Sequence, residues 1–162
     1  MLTKIMIIFL LLIMLPFAMV VLALWMNDLP WTETPGFKQR LVQYTSHNIA
    51  ETSIDANYPE LKTRYYLLTE DELKTHITNS VNMLGWELVK PFENGLVLET
   101  VVTTKLFRFM DDVIIELRKQ GDDTYVYLKS SSRVGKGDLG ANTRHILNFY
   151  EMLERQVNLV NQ

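Results

Sequence analysis

Residues 96–132 read LVLETVVTTKLFRFMDDVIIELRKQGDDTYVYLKSSS. Leu96 to Thr104 and Val113 to Leu117 are β-branched and apolar runs, the composition that suits a pleated, half-buried surface. Thr124 to Ser130 alternates, with Val126 and Leu128 set between Tyr125, Tyr127 and Lys129. Gly121-Asp122-Asp123 is a turn signal between two of these runs. Upstream, Trp86 to Val89 reads as another strand, stopped by Pro91, and Glu93-Asn94-Gly95 supplies a tight turn.

The flanks are helical. Thr69-Glu-Asp-Glu72 is a capping box, in which Thr69 accepts a backbone N–H three residues on and Glu72 reaches back. Leu73, Ile77, Val81 and Leu84 then recur on one helical face, and Gly85 ends the helix. Tyr65 to Leu68 precedes it as a short strand candidate. Downstream, a helix is predicted from about Thr143 to Val160, capped by Asn142, with Ile146, Phe149, Tyr150, Leu153, Val157 and Val160 on its apolar face. The order is therefore strand, helix, four strands, helix. Consecutive strands on short turns argue for an antiparallel sheet. The expectation is an α+β domain, β-α-β4-α, with an antiparallel sheet of about four to five strands covered by two helices, of helix-grip or TATA-binding-like character. The other sheet face is expected to be open or closed by the preceding connector.

The N-terminal segment differs in kind. Ile5 to Met26 carries no charge over 22 residues, and Lys4 is the one charged side chain before Asp28. At 1.5 Å per residue this run spans roughly 33 Å, against about 30 Å of bilayer hydrocarbon. Pro16 is tolerated in a spanning helix, and Trp25 and Trp31 flank its exit, where amphipathic rings favour the interface. A cleaved signal peptide has a shorter apolar run and a small-x-small cleavage site, whereas this segment ends in bulky Leu24-Trp25-Met26. An uncleaved anchor is favoured. Lys4 places the N-terminus in the cytoplasm by the positive-inside bias, so the domain is expected outside it, on a single-pass inner (cytoplasmic) membrane protein. The layout is residues 1–27 as anchor, 28–63 as a connector with a short amphipathic helix around Phe37, Leu41 and Tyr44, and 64–162 as the α+β domain.

Setting the anchor aside leaves 135 of the 162 residues, enough for one domain. The net charge of −3 gives no electrostatic footprint for nucleic acid. With no cysteine in the chain, disulfides, thiolate nucleophiles and iron–sulfur clusters are excluded. His47, His76 and His145 lack metal-ligand spacing, and Ser130-Ser131-Ser132 has no nucleophile elbow. No cofactor, metal site or catalytic residue is expected.

The segment worth weighing is RVGKGDLGAN. Gly135, Gly137 and Gly140 match G-x-G-x-x-G, but the 22 residues after Gly140 read as one helix, so the second strand of a dinucleotide fold is missing. What remains is a glycine turn with Arg133, Lys136, Asp138, Asn142 and Arg144 around it, and Asp111-Asp112 one strand away. One reading is structural: Arg133 in a buried or semi-buried pair with Asp111 or Asp112, Asp138 or Asn142 capping the helix, glycines forming the turn. The other is a ligand or partner site, because glycine-turn N–H groups and a helix N-terminus favour an anion. Neighbouring Asp111 and Asp112 point to opposite strand faces, so they do not share one cation.

RFMDDV (Arg108, Phe109, Asp111, Asp112, Val113) followed by SSSRVGKGDLGANTRHI resembles the bacterial domain-of-unknown-function family 1499. Its hallmark is similar to Arg-Phe-x-Asp-Asp-Val, then Ser-x-Ser-Arg-x-Gly-x-x-Asp-x-Gly-x-Asn. In this sequence those positions are Ser130, Ser132, Arg133, Gly135, Asp138, Gly140 and Asn142. His145-Ile146 stands where the family often shows Arg-Ile, and Asn48 to Ser53 stands in place of a family Pro-Asn-Cys-Val-Ser-Ser stretch, without the cysteine. The resemblance covers roughly residues 58–159 and implies no activity.

The favoured function is a membrane-anchored, non-enzymatic envelope domain that binds a partner protein or an anionic or lipid-like ligand. The alternative is a hydrolase or other enzyme using Asp111, Asp112, Arg133 and Asp138. A third reading is a carrier for an apolar molecule between the sheet and the long helix.

Overall fold

A computed structural model describes residues 2–93, 95–120 and 123–160. The Glu93-Asn94-Gly95 and Gly121-Asp122-Asp123 turns each include positions outside the described residues. The elements are α1 (Leu2–Met26), α2 (Phe37–Ser46), β1 (Ile49–Glu51), a 3-10 turn (Pro59–Leu61), β2 (Arg64–Tyr66), α3 (Glu70–Met83), β3 (Glu87–Lys90), β4 (Val97–Thr103), β5 (Met110–Gln120), β6 (Asp123–Ser132) and α4 (Ala141–Val160).

The expected strand, helix, four strands, helix order is present as β2, α3, β3 to β6 and α4. The sheet is antiparallel and six-stranded, in the order β1-β6-β5-β4-β3, with β2 also on β6. β1 pairs with Lys129 to Ser131 and β2 with Thr124 to Val126, so the two short strands lie end to end along one edge of β6. The segment read as connector thus supplies a strand and widens the sheet. It leaves the second face open, where the Arg118 guanidinium lies 3.6 Å from the centre of the Tyr127 ring and Tyr127 donates to Glu51 at 2.9 Å.

The inner face follows from alternation. Leu98, Val113, Ile115, Leu117, Val126 and Leu128 point to the helices and are buried. α3 begins with the expected box: the Thr69 N–H donates to Glu72 Oε2 at 2.9 Å, and the Glu72 N–H donates to Thr69 Oγ1 at 3.3 Å. Leu73, Ile77 and Val81 of α3 and Ile146, Phe149, Tyr150 and Leu153 of α4 have no exposed surface. Burying each such large side chain contributes roughly 1.5–3 kcal/mol.

α2 is the helix expected and buries Tyr44, but it departs from its apolar-face reading at Phe37 and Leu41. Phe37 is 60% exposed and Leu41 37%, while Arg40 and Tyr44 are the buried residues. The helix has turned so that Arg40 meets Glu60 of the 3-10 turn through two guanidinium nitrogens, one at 3.0 Å. The same guanidinium donates to the carbonyls of Glu33 and Thr34 and, at 2.9 Å, to the Tyr44 hydroxyl. A carboxylate recruited a cation where spacing alone suggested an apolar stripe.

Among the described residues, α1 is the one helix long and apolar enough to cross a membrane. No part of its most apolar stretch is buried in the protein, unlike the core helix of a soluble domain. Its last turn touches the domain: Ala23 is buried, and Asn27 Nδ2 donates to the Leu139 carbonyl at 2.8 Å.

Candidate functional site

The glycine segment joins β6 to α4 and is packed from outside by the chain that leaves α1. A Cβ on Gly137 would collide with the Thr45 carbonyl of α2, and one on Gly140 with the Leu29 side chain. Gly140 also has φ +81°, a left-handed conformation that glycine alone adopts without cost. Asn48 Nδ2 donates to the Gly135 carbonyl at 2.8 Å, and the Asp138 N–H to the His47 carbonyl at 3.1 Å. Gly137 and Gly140 of the G-x-G-x-x-G pattern therefore mark close approach, to the α2 backbone and to the Leu29 side chain.

Asp138 occupies the place an anion would take. Its carboxylate accepts the Gly140 N–H at 2.8 Å and the Asn142 N–H at 3.0 Å. Burial raises its pKa above the ordinary carboxylate value, against the lowering effect of these bonds. The expectation of Asn142 as the cap is corrected: α4 starts at Ala141, and Asn142 lies inside its first turn, fully buried. There it accepts from Ser130 Oγ at 2.6 Å and donates to Ser132 Oγ and to the Asn48 carbonyl, both at 2.9 Å. It ties β6, the connector and α4 together.

Asp111 and Asp112 part as strand alternation requires. Asp112 faces the open side and pairs with Arg133 at 2.6 Å, both side chains 46% exposed. The pairing with Asp112 was expected, but the buried setting expected for it is corrected: the register sets Asp112 opposite Ser131, on the uncovered face, where the pair is exposed. Asp111 faces inward, 1% exposed, and its Oδ2 lies 2.9 Å from Nε2 of His145 on α4. A carboxylate there fixes the ring proton on Nε2. The Trp86 ring meets His145 edge-on at 6.1 Å. Oδ1 of Asp111 is buried without a hydrogen-bond partner.

Lys136 is exposed. Arg144, in the first turn of α4, is held by the Asp28 carbonyl at 3.3 Å and by the carboxylates of Asp28 and Glu151 at 3.8 Å. That carboxylate pair answers the helix dipole, which disfavours a cation at this position.

Asp111, His145, Asp138 and Arg144 share a cleft of about 720 Å³. Its walls come from the end of α1 (Ala23, Met26), the start of β3 (Trp86), the β4–β5 turn (Lys105 to Phe109) and the start of α4. Asp112, Arg133, Lys136 and Asn142 do not line it. The expected cluster is thus divided between a cleft, an open sheet face and a structural junction.

The model of the family described as Protein of unknown function (DUF1499) matches residues 31–153. The chain belongs to this family. The match bears out the resemblance carried by RFMDDV and SSSRVGKGDLGAN. It also takes in α2 and β1, and it leaves α1 outside the DUF1499 region. No curated protein matches the chain.

Two parts of the DUF1499 cleft escaped the sequence reading. His145 was weighed as a metal ligand and set aside for want of ligand spacing, and was not read as the partner of a carboxylate. The signal that would have found it is Asp111 itself: an inward carboxylate on a core strand needs a partner, and His145 precedes the core residue Ile146 on the facing helix. The aromatic turn around Phe107 fell between the Leu96–Thr104 and Val113–Leu117 runs and was not read as a feature. Among the described residues no group of histidines and carboxylates is arranged to hold a metal.

Proposed function

We propose that this DUF1499 chain is a non-enzymatic, membrane-anchored envelope domain, facing the extracytoplasmic side, that binds an amphipathic, lipid-like ligand in the cleft beside α1. The observation that carries the reading is that Asp111, whose Oδ1 is buried without a hydrogen-bond partner, lines that cleft. An unsatisfied buried acceptor costs about 1–3 kcal/mol, which a ligand hydroxyl or amine would relieve. The cleft volume falls in the range of small-molecule sites, about 300–1,000 Å³. Met26, Trp86, Phe107 and Val134 offer apolar surface to the rest of the molecule. With Asp138 close to Asp111, the inner end suits a donor better than an anion; Lys105, Arg108 and Arg144 supply the cleft's positive charge.

Native mass spectrometry of the full chain, released from several mild detergents, tests this. A one-to-one lipid adduct is expected. Asp111→Asn, and Asn148→Trp in the cleft wall, should each lose it while keeping the wild-type melting temperature within a few degrees. No adduct in any detergent, or an adduct indifferent to both variants, overturns the reading.

A hydrolase is the second reading, favoured by the Asp111–His145 pair, which has the form of an oriented general base. It ranks second because, among the described residues, His145 holds no serine or threonine hydroxyl. Turnover of ester-linked lipids abolished by His145→Ala would promote it.

A further inference from the structure

The β4–β5 turn is a built feature. The Thr104 N–H donates to the Phe109 carbonyl at 2.8 Å, the Phe109 N–H to Thr104 Oγ1 at 2.8 Å, and the Arg108 N–H to the Thr104 carbonyl at 3.1 Å. Arg108, a non-glycine residue, sits at φ +56° to close it. The closed turn stacks Phe107 on Phe109, 5.5 Å apart and 20° from parallel. Phe109 is 48% exposed and Met110 40%. The Arg133 N–H donates to the Met110 carbonyl, which brings the next residue, 56%-exposed Val134, beside this patch. Lys105 and Arg108 are exposed on the same turn.

The position of α1 says what covers this patch. At 1.5 Å per residue the 25 residues of α1 span about 37 Å, roughly 7 Å more than a hydrocarbon core. Its last turn therefore emerges at the bilayer surface. Ala23 and Met26 of that turn line the same cleft as Lys105 to Phe109. A stacked aromatic pair, Phe107 half-buried and Phe109 exposed, with Lys105 and Arg108 on the same turn and held level with the exit of a spanning helix, has the composition of an interfacial contact.

We propose that the Lys105–Phe109 turn and Val134 form a second membrane contact, seated in an anionic lipid surface beside α1. Phe107, Phe109 and Val134 enter the headgroup–acyl boundary, and Lys105 and Arg108 meet lipid phosphates. The mouth of the cleft then opens onto the bilayer, so a lipid-like ligand enters without crossing water. This last point rests on the function proposed above; the contact itself does not.

The chain has no cysteine, so one introduced cysteine takes a nitroxide label at a single site. The full chain is placed in nanodiscs of mixed phosphatidylcholine and phosphatidylglycerol, and label depth is read from collisions with oxygen and with a water-soluble nickel chelate. Labels go on Val134→Cys and Phe109→Cys, on Phe17→Cys within α1, and on Leu67→Cys. Leu67 is 98% exposed and lies beyond Tyr66, which pairs with Thr124. The eight rises from Thr124 to Ser132 put it roughly 26 Å from the turn. Val134 and Phe109 labels should read as interfacial, Phe17 as deep and Leu67 as aqueous. Lys105→Glu with Arg108→Glu should move the Val134 label outward in the anionic mixture, and less in phosphatidylcholine alone. A Val134 label as aqueous as Leu67, with Phe17 deep, overturns the second contact and leaves the anchor standing. An aqueous Phe17 label overturns both. Depth unmoved by charge reversal overturns the role of Lys105 and Arg108. None of these outcomes depends on whether the cleft holds a lipid.

Discussion

At the scale of single residues, the costliest change lies at Arg40. Arg40 has no exposed surface and the Glu60 side chain is 5% exposed. Arg40→Ala leaves that carboxylate buried and unpaired, at about 3–5 kcal/mol. Arg40→Met with Glu60→Leu removes both charges and should recover most of the loss. Denaturant titration of the three proteins decides it; equal losses in the single and double variants would show that packing, not charge, is at stake. The glycine turn makes a second comparison. Gly137→Ala forces Cβ into the Thr45 carbonyl, so α2 must move away, at about 2 kcal/mol. Lys136→Ala next to it touches solvent and should cost less than about 0.5 kcal/mol. Melting curves that rank the two the other way would mean that the turn is not packed by α2. Neither the Arg40–Glu60 pair nor the Gly137 contact was legible in the sequence. The first joins two residues within 37–63 and the second joins that segment to 133–142, and no periodicity announces either pairing. The division of Asp111 from Asp112 was legible, because alternation along a strand is a local property.

At the scale of elements, what the sequence announced is what local chemistry controls. The Thr69 box, Leu73, Ile77 and Val81 of α3, and Ile146, Phe149, Tyr150 and Leu153 of α4 depend on neighbours within a few positions, and they stand as read; the side chain of Val160 lies outside the described residues. β1 was not legible: three residues, Ile-Ala-Glu, hold their place by pairing with Ser131 to Lys129, some eighty residues on. The start of α4 shows a local rule giving way to a tertiary one. Asn142 is a good capping residue by type, but Asp138 reaches the helix N–H groups first, because Gly140 folds the chain back over them. This cap predicts a pH dependence. Burial holds the Asp138 pKa above its unfolded value. Between those two values the folded state binds a proton that the unfolded state lacks, so stability falls as pH rises through that window. Wild type should therefore gain stability relative to Asp138→Asn as pH drops from neutral into the acidic carboxylate range. Melting temperatures of both proteins across that range test it; a constant difference between them would mean that Asp138 is not proton-linked to folding.

At the scale of the whole molecule, the domain packs against the end of α1 and the chain that leaves it. Ala23 is buried against the domain, Asn27 bonds Leu139, Leu29 packs over Gly140 and Asp28 holds Arg144. Asn27, Asp28 and Leu29, just after α1, thus have a structural duty on the 137–144 junction, and that bears on processing. A signal peptidase needs an extended, accessible stretch with small residues at its cleavage positions. Here Ala23 to Met26 is helical and bulky, and its small residue is covered. The expected outcome is an uncleaved protein. Mass spectrometry of the mature chain should find residues 1–27 intact apart from the initiator methionine, and carbonate washing should leave the protein in the membrane. A soluble product starting near Asn27 would sink the anchor. It would also cut α1 from the domain while sparing Asn27, Asp28 and Leu29, so a released domain that kept its full melting temperature would show that the junction holds without the last turn of α1.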